Sequence, residues 1–134
     1  MEKYSCWLPR HARSVGLARQ LLGDFLAELQ NGEQFCHESE LVVSELVTNA
    51  VLHAVTPTGR LIYLQFDLHP DPDSLRIEVH DADPEHPTLR PAAECDEAGR
   101  GLLLASEFAT SWGCHPRPGG IGKVMWALLE GGVQ

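Results

Sequence analysis

The longest regular pattern in the chain runs from Glu38 to Val55. Val42, Val43, Leu46, Val47, Ala50 and Ala54 recur there at helical spacing, with neither Gly nor Pro between them. The spacing predicts a helix with one broad apolar face. Glu45, Asn49 and His53 lie four apart and form a row beside that face, drifting onto it at Asn49 and His53. Polar groups at the edge of a core must find partners or incur a desolvation cost. Taken alone, Glu-x-x-x-Asn is unspecific, because a solvated helix edge carries the same residues.

The flanking patterns are equally periodic. Tyr4 to Leu8 reads as an edge strand, and Pro9 suits a helix start. From Arg10 to Gln30, Val15, Ala18, Leu21, Leu22, Phe25, Leu26 and Leu29 keep a helical period, and Asn31-Gly32 is a stop signal. The short link onward predicts two antiparallel neighbouring helices. Arg10, Arg13 and Arg19 suit a solvated face better than a phosphate site. Thr56-Pro57-Thr58-Gly59 is a break. Leu61 to Leu68 and Leu75 to His80 then alternate, as half-buried strands do, around a turn at His69 to Ser74. Asp81 continues the inward parity of Leu75, Ile77 and Val79. It is either a turn aspartate ahead of Asp83-Pro84 or a carboxylate aimed into a pocket.

Residues 84–98 lack periodicity and are long for a connection, as lids are. Gly99-Arg100-Gly101 precedes a helical run from Leu102 to Ala109. Glycines at a helix entrance let backbone amides approach a phosphate, although a hinge uses them equally. Ser111 to Cys114 reads as a short strand, residues 115–120 as a turn, and Ile121 to Leu129 as a strand buried on nearly both sides. Lys123 interrupts that strand near its start, as a position facing a loop or ligand would. The order β-α-α-β-β-loop-α-β-β predicts an α+β fold: a two-layer α/β sandwich with a mixed, mostly antiparallel sheet and helices on one face.

Composition narrows the function. A length of 134 residues, 43% of them hydrophobic, fits one domain with a real core. With 10 basic against 19 acidic residues and a net charge of −9, the chain is no direct nucleic-acid binder. An anionic ligand would need help from Mg²⁺, a helix N-terminus or a few placed cations. The first residues contain no apolar signal segment, and no run reaches membrane length, so a cytoplasmic chain is expected. Cys6, Cys36, Cys95 and Cys114 are scattered without zinc-ligand spacing, and the expectation is four reduced, structural thiols.

Four segments in order carry a resemblance: Leu41 to Ala54, Val79-His80-Asp81, Gly99-Arg100-Gly101-Leu102, and Gly122-Lys123-Val124-Met125-Trp126. Together they resemble the Bergerat-fold, histidine-kinase-like ATPases. Within that superfamily the chain is most similar to the small anti-sigma-factor serine/threonine kinases and stand-alone ATP-binding regulators of actinobacteria. The resemblance implies a single ATPase domain over residues 1–134 with a lid at about 84–101. It implies ATP and Mg²⁺ as cofactors, with Asn49 ligating the metal and Glu45 acting near the terminal phosphate as base. Asp81 would accept from the exocyclic amine of adenine. Gly99, Arg100, Gly101 and Leu102 would form the phosphate-facing edge of the lid, with His53 and Lys123 near the nucleotide. The implied partners are an anti-sigma-factor antagonist, a sigma factor and, across the uncovered sheet face, a second copy of the chain; the implied activity is a protein kinase or a nucleotide-responsive switch. Two departures stand out. Asp81 is followed by Ala82-Asp83-Pro84, without the family's glycines. Val124 stands where a threonine is usual, which is expected to remove a hydroxyl supporting Asp81.

Overall fold

The structure, a computed structural model, describes residues 2–53, 61–70, 73–81, 108–116 and 122–131, with the backbone alone at residue 53. The elements are β1 (Glu2–Pro9), α1 (Arg13–Ala27), a 3-10 turn (Gly32–Phe35), α2 (Cys36–His53), β2 (Leu61–His69), β3 (Ser74–Asp81), β4 (Ser111–Pro116) and β5 (Lys123–Glu130). The strands form one five-stranded sheet in the order β1-β2-β3-β5-β4. It was expected to be mixed, but each described pairing is antiparallel. The helix expected over 102–109 lies outside the described residues, except for its last two positions.

Strand alternation sets the core. Ile62, Leu64, Phe66 and Leu68 of β2 and Leu75, Ile77 and Val79 of β3 point to one face, joined by Met125, Ala127 and Leu129 of β5. Helix α1 covers this face with Ala18, Leu22 and Leu26, spaced one turn apart, and α2 covers it with Val42, Val43, Leu46, Val47 and Ala50. Each of the larger side chains among these contributes about 1.5–3 kcal/mol by leaving water, and each alanine less. The helices are antiparallel: Arg10 Nη1 donates to Val51 O (3.2 Å) and Arg19 Nη1 to Ser44 Oγ (3.0 Å). Arg10, just before α1, and Arg19 thus tie this segment to α2, while Arg13 and Arg19 remain on an exposed face, as expected.

The ends of α1 are fixed locally. The helix starts at Arg13, later than Pro9 suggests, because Pro9 still pairs with Leu61 in the sheet. Ser14 Oγ, fully buried, donates to Pro9 O (2.6 Å) and anchors the new helix to the strand. At the far end, Leu29 N→Leu26 O and Gly32 N→Leu29 O tighten the chain. Asn31 is left-handed at φ 67°, a conformation that Asn tolerates. Gly32 follows because a Cβ there would collide with the Leu26 carbonyl.

The outer face of the sheet mixes charged residues with aromatic and aliphatic ones, Trp7, Tyr63, Val124, Trp126 and Leu128 among them, and is largely half-buried. Arg76 Nε donates to Glu78 Oε2 (2.6 Å), and His80 Nε2 bonds Glu78 Oε1 (2.8 Å). The Arg76 guanidinium lies 4.5 Å from the centre of the Trp126 ring, a cation–π distance. Trp126 needs Gly113 opposite it, since a Cβ there would come within 2.9 Å of the indole. The His80 hydrogen bond, with that of Arg76 and their charges, lowers the Glu78 pKa from 4.5 to about 2 against the opposing effect of burial. The native carboxyl therefore holds its proton less tightly than the unfolded one. Its contribution is present above 4.5 and is lost as pH falls toward 2. Glu78→Gln is expected to cost about 1–2 kcal/mol near neutral pH, after allowing for solvent screening, and less in acid. Urea unfolding of both proteins at neutral and acid pH checks this; an equal difference at both would contradict it.

Candidate functional site

The topology brings one end of each core element together. Pro9 closes β1, and Leu61 opens β2 beside it. The Arg10–Val51 bond places the C-terminal turns of α2 at this same end. Ile62 pairs with Asp81, and Asp81 pairs with Lys123. Parity along β3 puts Asp81 on the helix-covered face, and it is 6% exposed. A carboxylate thus closes β3 where the hydrophobic core stops and the end of α2 begins. Lys123 is half-buried and opens β5 on the same face.

On α2, Ser44 and Val51 mark the side turned to α1. At about 100° per residue, Glu45 and Asn49 fall on the opposite flank. Asn49 is 6% exposed, and its Oδ1 accepts no hydrogen bond among the described residues. Leaving a buried acceptor unsatisfied costs about 1–3 kcal/mol. An amide oxygen held this way, one turn from a carboxylate, suits a hard cation such as Mg²⁺, which takes oxygen ligands. Glu45 is half-buried, and burial raises its pKa above 4.5. Its carboxylate is therefore more basic than that of an exposed glutamate.

Glu45, Asn49, Asp81 and Lys123 are the sequence-derived site residues whose side chains are described. The side chain of His53, and the whole of Gly99, Arg100, Gly101, Leu102 and the lid at 84–101, lie outside the described residues. The register corrects one inference. Val124 pairs with His80 and is buried apart from the main core, so it faces away from Asp81. A hydroxyl at 124 would not support Asp81, and the position sharing its face is Lys123. The cysteines differ from expectation as well: Cys6 and Cys36 are free thiols, but Cys114 is disulfide-bonded. Sequence reasoning also missed the Arg76–Glu78–His80 network, which only the strand register reveals.

Helices back one face of an antiparallel sheet, and the C-terminal turns of α2 and the aspartate ending β3 lie toward the same end. The profile of the histidine kinase-like ATPase domain matches residues 8–124, and the chain belongs to that family. Membership implies a nucleotide site. Among solved structures the chain is similar to "the RsbU and RsbW domains of Rv1364c from Mycobacterium tuberculosis", with a TM-score of 0.71 and 18% identity. That match covers 96% of this chain and 32% of the other, so this chain spans about a third of its neighbour's length. At that identity the likeness establishes the fold. No curated protein matches the chain. Among the described residues, no helix is long and apolar enough to cross a membrane.

Proposed function

We propose that the chain binds ATP with Mg²⁺ and transfers the γ-phosphoryl group to a serine or threonine hydroxyl of a partner protein. The observation that carries this reading is the buried, unbonded Oδ1 of Asn49, one helical turn from a carboxylate made basic by burial. Asn49 would hold the metal, which when bound would offset the charge of the phosphates. Asp81 selects adenine by accepting from its exocyclic amine. Glu45 receives or orients the proton of the attacking hydroxyl. The hydroxyl oxygen bonds to the γ-phosphorus as the bond to the β-phosphate oxygen breaks, and ADP leaves. Positioning and charge stabilisation supply most of such catalysis.

The sequence resemblance supports an anti-sigma-factor antagonist as phosphate acceptor, with a sigma factor as the competing partner. It also supports a homodimer and a single domain with the lid at 84–101, and the sequence pattern supports a cytoplasmic location. Incubation with labelled ATP and a cognate antagonist tests the reading: label is expected on serine or threonine, and no transfer would contradict it. A nucleotide-responsive switch without turnover is the second reading, favoured by Ala82-Asp83-Pro84 replacing glycines after Asp81. It loses the support that Val124 was expected to give, because that side chain faces away from the site. ATP binding without transfer would mark the switch.

A further inference from the structure

The opposite end of the sandwich, about 20 Å from Asp81 by strand rise, carries a second recess. A cavity of about 440 Å³ lies between α1 and the edge strand β1, and another of about 180 Å³ adjoins it, with Glu2 and Leu29 in the walls of both. The floor of the larger one is apolar. Tyr4 and Phe25, with ring centres 6.3 Å apart, line it with Leu21, and both rings pack on Phe66 beneath. The rim is acidic: Glu2, Asp24 and Glu28 are exposed there, and Asp73 lines the far end. Lys3 is the one cation among the described lining residues.

We propose that this groove docks a cationic, amphipathic segment of a partner polypeptide, with its apolar side chains on the Tyr4–Phe25 floor and its Lys or Arg side chains on the acidic rim. Charge complementarity selects this occupant. A second copy of the chain would set the same carboxylates against each other, and a nucleic acid would be repelled by the rim and by the net charge of −9. Apolar anchors flanked by charges are the usual content of a groove-binding segment. The groove is remote from Asn49 and Asp81, so the inference does not depend on the nucleotide reading.

The test uses the full chain and a fluorescent peptide alternating Arg and Leu, with peptides alternating Glu and Leu or Arg and Ser as controls. The Arg/Leu peptide is expected to bind best and to shift the amide resonances of Tyr4 and Phe25. Reversing the rim with Asp24→Lys and Glu28→Lys, both at exposed positions, is expected to weaken binding at least about tenfold. Glu33→Lys with Glu40→Lys makes the same charge change elsewhere on the surface and is expected to leave binding unchanged. Absence of binding, resonance shifts confined to other regions, equal binding of either control peptide, or equal loss with the two charge reversals would each overturn the proposal.

Discussion

Asp81→Asn is expected to weaken ATP and ADP binding about tenfold to a hundredfold while leaving the fold intact. The substitution is nearly isosteric at a strand end, so little packing is lost. The chemistry does change. A carboxylate offers only acceptors to the exocyclic amine of adenine, whereas an amide can turn its own N–H donors toward it. The site is buried, with Asp81 6% exposed, so water cannot replace the lost acceptor cheaply. ATP and ADP should suffer alike, because both carry adenine. GTP should bind wild type poorly, since guanine presents a carbonyl where adenine presents the amine. Calorimetric titration of wild type and variant checks this, and equal affinities would remove Asp81 from the site.

Glu45→Ala should separate binding from chemistry. Glu45 sits one turn before the proposed metal ligand, so its loss should leave nucleotide affinity within a few-fold of wild type. Phosphate transfer should fall about a hundredfold to ten-thousandfold, the range for removing a positioned general base. The pH profile adds a signature. Burial raises the Glu45 pKa above 4.5, so wild-type transfer should fall off on acidification at a higher pH than an ordinary glutamate would give. The alanine variant should lack that inflection. Undiminished transfer by the variant would assign the proton to another group.

The placement of Glu45, Asn49 and Asp81 on their elements was legible in the sequence, for physical reasons. Helix α2 is long and uninterrupted and packs one face on the sheet, so its period fixes the Glu45–Asn49 row relative to the core. Strands β2 and β3 each have one buried face, so alternation alone gives the inward parity of Asp81. Strand β5 is different. Val124 and Met125 are both buried although they face opposite sides, and a run apolar on both faces loses the period that would say which way a residue points. The direction of Val124 is therefore set only by its pairing with His80. The ends of α1 depended on a proline still in its strand and a glycine pressed against a carbonyl, contacts that propensity does not encode. The outer-face network needed register too, because Arg76, Glu78 and His80 read as ordinary outward polar residues.

If Asn49 Oδ1 holds the metal of a bound metal–nucleotide complex, as proposed, a paramagnetic ion reports it directly. Mn²⁺ can stand in for Mg²⁺ at an oxygen site and broadens nearby NMR signals. The Asn49 side-chain amide resonances should broaden when ATP and Mn²⁺ are both present and remain sharp with Mn²⁺ alone. Sharp Asn49 resonances at saturating Mn²⁺-ATP, with broadening confined to other residues, would contradict the account.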